Sequence, residues 1–293
     1  MIEIRDLSVR YGPTVAVSGV DLDLPTGKIY GLLGRNGSGK TSLLSALASF
    51  RRPSTGTVRL DGAVAFENPA VMRATCFIRD ALDAHDSDCV RKVLCFARWM
   101  RPTWDDDYAA RLLDLFQLPN RKRIGRLSRG QKSALGVVLG LASRAPLTIL
   151  DESYLGMDAV ARTHFYRELL DDYLAHPRTV ILSTHLIEEV ADLFERVIIL
   201  DRGRVLLHEE TEVLRGRGIT VTGPAEAVRA FVAGHPILGE RSLGGLSSIT
   251  VDGRPDPAEI ARGEAAGLTF GPVGIQELFV HLTSASQQQE ATR

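Results

Sequence analysis

Between Met1 and Leu24, apolar and polar residues alternate in short runs, the pattern of half-buried antiparallel strands. Lys28 to Leu33 is again strand-like, with Ile29 and Tyr30 suited to a pleated backbone. A glycine-rich stretch follows at once, and Thr41 to Phe50, rich in Leu and Ala, predicts a helix. Residues 54–66, with Gly56 and Asp61-Gly62, predict strands joined by tight turns. From about Asp83 to Pro119 the period becomes helical: Val90, Val93, Leu94 and Ala97 share one face. A second helix begins near Trp104, behind the acidic run Asp105-Asp106-Asp107.

After Gly125 helix and strand alternate. Arg129 to Ser143, Ala159 to Leu174 and Ile187 to Leu193 predict helices; Leu147 to Leu150, Thr179 to Ser183 and Val197 to Leu200 predict strands. Such alternation implies a largely parallel sheet covered by helices, and the uninterrupted apolar runs imply strands buried on both faces. Beyond about Arg215 short strand-like runs (Ile219 to Thr222, Ser248 to Val251, Leu268 to Phe270) alternate with Ala-rich helical segments, a small α+β appendage. The division expected is therefore 1–215 for the main domain, with a helical insert at about 81–143, then 216–283 for the accessory domain and 284–293 for a flexible tail.

Composition narrows the class. The 293 residues are 44% hydrophobic and 24% charged, ordinary values for a globular chain. A formal net charge of -1 sets up no global field for nucleic acid or anionic lipid, so no nucleic-acid partner is expected. The run Arg121-Lys122-Arg123 reads as a solvated face. Cys76, Cys89 and Cys95 are three in number and lack metal-ligand spacing, which points to reduced thiols. No secretory leader pattern opens the chain and no apolar run reaches the ~18 residues of a membrane span. Service to a membrane would need a partner.

Four local patterns carry chemistry. Gly34-Arg35-Asn36-Gly37-Ser38-Gly39-Lys40-Thr41 fits Gly-x4-Gly-Lys-Thr between a strand and a helix. Its glycines let successive N–H groups point at an anion, Lys40 neutralises phosphate charge, and Thr41 offers a hydroxyl to Mg²⁺. Asp151-Glu152 ends an apolar strand, where two carboxylates are costly unless a cation or a reaction employs them. One reading gives Asp151 to Mg²⁺ and Glu152 to the attacking water; the other is an acid pair that caps a helix. Ser128-Arg129-Gly130-Gln131 is a capping box, and a capped helix start with a free glycine is also an anion site. His185 follows a strand, where a histidine either packs or senses a phosphate.

In this order the segments resemble the ABC ATPase family over about residues 1–210. The resemblance places the family's adenine-stacking aromatic on Tyr11, and its phosphate loop on Gly34 to Thr41 with Ser42 beside it. Leu127 to Gln131 becomes the signature loop, with Ser128, Gly130 and Gln131 toward nucleotide. Leu147 to Glu152 becomes the acidic strand, Leu155 to Asp158 the D-loop, and His185 the switch histidine. The fold implied is α/β: a P-loop NTPase (RecA-like) core with an N-terminal antiparallel β subdomain and an inserted α-helical subdomain, plus the C-terminal α+β appendage. Also implied are ATP and Mg²⁺, a head-to-tail dimer with a second copy or a related ATPase subunit, and a separate membrane-spanning subunit on whose cytoplasmic side the chain works. The Leu-Ser-Arg-Gly-Gln-Lys-Ser form and Trp104 to Tyr108 are similar to the ABC-2 type exporter branch.

Two positions depart from the family. The glutamine that ends a strand ahead of the helical insert is replaced by Cys76-Phe77-Ile78-Arg79-Asp80, which leaves Asp80 as the candidate oxygen ligand for the metal. Ser153 stands where proline is usual. The competing reading is a regulatory or ribosome- or nucleic-acid-associated ATPase of the same fold, and a slow cassette is a third.

Overall fold

The computed structural model describes residues 1–80, 84–253 and 255–291, with side chains through residue 284. The first part of the chain forms β1 (Ile2–Tyr11), β2 (Thr14–Leu24), β3 (Ile29–Leu33), α1 (Lys40–Leu47), β4 (Thr55–Leu60) and β5 (Ala63–Val64). Next come α2 (Pro69–Ala74), β6 (Thr75–Arg79), α3 (Val90–Met100), α4 (Asp106–Leu115), α5 (Arg129–Ala142) and β7 (Leu147–Asp151). They are followed by α6 (Ala159–Ala175), β8 (Thr179–Thr184), α7 (Ile187–Val190), β9 (Arg196–Asp201) and β10 (Arg204–Glu210). The last stretch holds α8 (Thr211–Arg215), β11 (Gly218–Pro224), α9 (Ala225–Phe231), β12 (Ile237–Leu243), β13 (Leu246–Asp252), α10 (Pro257–Ala265), β14 (Thr269–Pro272) and α11 (Ile275–Ala291).

These elements form two compact units, Met1–His185 with Asp192–His208, and Leu186–Ala191 with Glu209 onward. The first unit holds two sheets. One is antiparallel, in the order β2-β1-β4-β5, and the other has the order β10-β9-β3-β8-β7-β6. Pairings β3–β9, β3–β8, β8–β7 and β7–β6 are all parallel. Both sheets and α1 contribute to one hydrophobic core that runs from Ile2 to Leu200. Every residue of β3, β7 and β8 is buried, as central parallel strands covered on both faces require.

The helical insert is fixed by caps and ion pairs. Asp105 caps α4, accepting from the Tyr108 N–H at 2.7 Å. Arg111 makes a two-pronged bridge to Glu168 of α6 at 2.9 and 2.7 Å. Arg144 lies 2.7 Å from Asp105 and 3.1 Å from Asp172, whose other oxygen is 2.7 Å from Arg178. Asp172 and Arg178 are both buried. At the strand-entry side Glu195 takes Lys28 at 2.5 Å, Tyr173 at 2.5 Å and the Ile29 N–H at 3.2 Å.

The second unit has its own core of Ile219, Val221, Val228, Val232, Ile249, Val251 and Leu268. Its sheet order is β12-β13-β11-β14, with β13 and β14 antiparallel to β11 and β12 antiparallel to β13. Strand, helix, two strands, helix, strand in that order is the split β-α-β arrangement.

The structure departs from the sequence expectations at four points. The helix α11 runs to Ala291, so the segment read as a flexible tail is helical that far; no Gly or Pro follows Gly274 to stop it. The second unit takes in Leu186–Ala191 besides the C-terminal part, because α7 packs on α11. Residues 187–193 divide into α7 and a short 3₁₀ turn, Ala191–Leu193. Lys122 is not simply solvated: its ammonium donates to Gln131 Oε1 at 3.0 Å. The stated start of the helical insert, 81–83, lies outside the described residues.

Two predictions follow from these ion pairs. Asp172→Ala strands buried Arg178 without its counter-charge and costs about 3–5 kcal/mol; denaturant unfolding checks it, and a loss below about 1 kcal/mol would count against the network. Burial alone pushes the Glu195 carboxyl up, but Lys28, Tyr173 and the Ile29 N–H outweigh it and hold the group below its usual range. The stability it contributes is present above the ordinary carboxylate pKa and is lost as pH falls through the lower, folded value. The gap in melting temperature between wild type and Glu195→Gln should therefore close in acid; a gap that widens would reverse the sign.

Candidate active site

Register decides where the candidate residues meet. In the parallel sheet Leu33 is level with Thr184, Asp151 with Ser183, and Arg79 with Asp151. The residues just past these strand ends, Gly34, His185, Glu152 and Asp80, therefore stand along one carboxyl edge. That edge is where ligands bind in open α/β sheets.

The loop from Gly34 to Gly39 leaves no room for a side chain at either end. A Cβ on Gly34 would lie 2.3 Å from Ser38 Oγ and 2.6 Å from the Leu200 carbonyl. Gly39 has φ +105°, and a Cβ there would meet the Ala16 carbonyl at 2.3 Å. The loop delivers Lys40 and Thr41 to the start of α1, where unpaired N–H groups and the helix dipole favour an anion. Ser38 Oγ is buried with no protein hydrogen-bond partner, a donor that suits an anion held in this cradle.

Lys40 is 5% exposed, and its ammonium donates to the carbonyls of Gly34 at 2.8 Å and Arg35 at 3.3 Å. It also lies 3.1 Å from Glu152 Oε1. The same Glu152 oxygen is 3.3 Å from His185 Nδ1, so one carboxylate bridges the phosphate-loop lysine and the histidine. Glu152 sits at φ +50°, a left-handed conformation that a glutamate rarely adopts without a reason.

Asp151 is buried and hydrogen-bonds Ser183 and Thr41. Burial raises its carboxyl, against the pull of those two hydroxyls. An aspartate and a threonine hydroxyl are hard oxygen donors, the set that Mg²⁺ takes together with water and phosphate. No cluster of three His, Cys, Asp or Glu side chains suited to a metal occurs among the described residues. Asp80 does not join Asp151: its carboxylate faces Arg129, at 3.3 Å.

Tyr11 lies beside α1, with Ser42 Oγ 3.4 Å from its hydroxyl. The Arg51 guanidinium is 3.7 Å from the ring centre, so one face of that ring is already covered. Ser128 caps α5 as a full capping box with Gln131, its side chain accepting from the Gln131 N–H at 3.2 Å. A cleft of ≈ 330 Å³ opens at this helix start, lined by Ser128, Gly130, Gln131, Met157 and Asp158, among others. None of Gly34–Ser42, Asp151, Glu152 or His185 lines it. Asp158 caps α6 by accepting from the Ala161 N–H at 2.8 Å. Sequence reasoning did not foresee the pairing of Ser183 with Asp151, of Arg129 with Asp80 or of Lys122 with Gln131. Ser183 left a local trace as the polar residue near the end of an apolar strand, and Arg129 as part of the signature run.

The family description for ABC transporters matches residues 17–154. The ABC transporter ATP-binding protein YtrB of Bacillus subtilis (strain 168) is 30% identical over 201 residues, 69% of each chain. The taurine import ATP-binding protein TauB of Sinorhizobium fredii is 33% identical over 223 residues, 73% of this chain and 81% of its own. The Nod factor export ATP-binding protein I of Burkholderia orbicola is 29% identical over 303 residues, 98% of both chains. Among solved structures, an ATP-binding subunit of an ABC transporter superposes with a TM-score of 0.66 at 22% identity, over 73% of this chain and 92% of that one. A dimeric cassette bound to ADP and Pi gives 0.62 at 19%, over 72% and 99%. Strand-edge geometry, phosphate loop and these relatives agree: the chain belongs to the ABC transporter family, as an ATP-binding subunit.

Proposed function

We propose that the chain hydrolyses ATP to ADP and phosphate as the motor subunit of an exporter, working as a head-to-tail dimer against a separate membrane-spanning subunit. The observation that carries this reading is the separation of two half-sites in one copy. Lys40, Thr41, Asp151, Glu152 and His185 converge at the sheet edge, while Ser128, Gly130 and Asp158 line a different cleft. A second copy turned head to tail brings one set opposite the other, with nucleotide phosphate between. No helix among the described residues is long and apolar enough to cross a membrane, which fits a chain seated on the inner membrane face through its partner. The full-length match to an export ATP-binding protein supports export rather than import, and the Leu-Ser-Arg-Gly-Gln-Lys-Ser run with Trp104 to Tyr108 supports the ABC-2 branch.

In this reading the phosphate loop and Lys40 hold the β- and γ-phosphates, Tyr11 meets the adenine, and His185 contacts the γ-phosphate. Thr41 and Asp151 hold Mg²⁺, which neutralises phosphate charge. Glu152 takes a proton from the attacking water as the bond from the γ-phosphorus to the bridging oxygen breaks and ADP leaves. Lys40 serves two anions: a γ-phosphate competes with Glu152 for the same ammonium, which releases the carboxylate for the water. Asp80, facing Arg129, ties the strand end to the signature helix in place of the usual glutamine.

Glu152→Gln should keep ATP binding and lower turnover by at least about 10²-fold; a variant with near-normal phosphate release would remove Glu152 from the general-base role. Ser128→Arg should abolish hydrolysis while nucleotide affinity of the isolated monomer stays within about twofold. Full-rate hydrolysis by a strictly monomeric protein at high dilution would refute the composite site.

A further inference from the structure

The loop that follows α1 turns back onto the end of β1, within the first unit. Tyr11, the last residue of that strand, is 44% exposed. Arg51 lays its guanidinium 3.7 Å from the Tyr11 ring centre, a stacking distance for a cation on an aromatic face. The same guanidinium donates from Nη2 to the Arg10 carbonyl at 2.7 Å, and the Arg10 N–H donates to Ser54 Oγ at 2.9 Å. Both main-chain polar groups of the residue before Tyr11 are thus tied to one loop. That loop is itself anchored, the Arg51 N–H to the Ser45 carbonyl at 3.1 Å and the Ser54 N–H to the Ser8 carbonyl at 2.8 Å. Arg51 Nε is buried with no hydrogen-bond partner among the described residues. A guanidinium placed at that cost is held by something other than hydrogen bonds, and the ring face is what it meets.

We infer that Arg51 is a positioning residue for Tyr11, fixing the plane on which the nucleotide base stacks. The inference rests on the reading that Tyr11 meets the adenine. Stacking depends on how two ring planes are set against each other, and a tyrosine at a strand end can turn about its side-chain bonds. A ring already held on one face by Arg51, with Ser42 Oγ 3.4 Å from its hydroxyl, loses less freedom when a base arrives on the other face. The phosphate loop and Lys40 grip the triphosphate without help from the ring. Arg51 therefore acts on the base contact, and leaves phosphate binding and the chemical step alone. Residue type matters here, because a guanidinium stacks flat on a ring and an ammonium does not.

Steady-state ATPase kinetics on the full-length protein test this, with tripolyphosphate as a competitive inhibitor that carries the phosphates and no base. Arg51→Ala should raise KM for ATP about fivefold, with kcat and the tripolyphosphate inhibition constant within about twofold and melting within about 3 °C. Tyr11→Ala should raise KM about tenfold, and the double variant should be no worse than Tyr11→Ala, since both remove one stack. Arg51→Lys keeps the charge and a donor for the Arg10 carbonyl, so its KM should rise only about two- to threefold. A tripolyphosphate constant that rises together with KM, or effects that multiply to about 50-fold in the double variant, would overturn the proposal, because a loop that merely braces the fold gives those results. Normal KM in Arg51→Ala beside a raised KM in Tyr11→Ala defeats the positioning role and leaves the reading of Tyr11 standing. Normal KM in Tyr11→Ala defeats that reading and the proposal with it.

Discussion

The parallel register of β3, β8, β7 and β6 is the constraint on which the active site depends. Parallel pairing requires all four strands to end at the same side, and level pairing of Leu33 with Thr184 and of Asp151 with Ser183 puts their next residues in one row. A slip of one residue would turn Asp151 out of contact with Ser183 and send apolar side chains to the wrong face. Full burial of β7 and β8 makes such a slip expensive. The same burial that stabilises the sheet therefore aims its chemistry.

Within that row charge is shared rather than paired off. Lys40 holds two loop carbonyls and Glu152, and Glu152 also meets His185. A carboxylate common to a lysine and a histidine responds to anything that draws the lysine away, and a phosphate does so by simple Coulomb competition. The left-handed backbone at Glu152 is held by its position between a buried strand and the turn that follows it. Strain of this kind is usual where a side chain must be aimed and not merely buried.

The signature helix shows how one arrangement serves structure and site together. Ser128 and Gln131 satisfy the N-terminal N–H groups of α5 as a capping box, and the same helix start opens the cleft that includes Gly130 and Asp158. Around it two cations find partners, Lys122 the amide oxygen of Gln131 and Arg129 the carboxylate of Asp80. The helix start is thus braced from the loop before it and from the end of β6.

What could be read from the sequence was local. Gly-x4-Gly-Lys-Thr between a strand and a helix, a capping box before an apolar helix, and two acids after an apolar strand each announce themselves within a dozen residues, because turn geometry, helix period and burial act over that range. What the tertiary structure decided was non-local: Asp80 facing Arg129, Ser183 beside Asp151, and, inside the second unit, Arg241 meeting Glu188 of α7 across 53 residues of sequence. Period and turn chemistry fix where an element begins and which face is apolar. Which distant element meets that face depends on register and packing, and one residue of slip in either changes every partner.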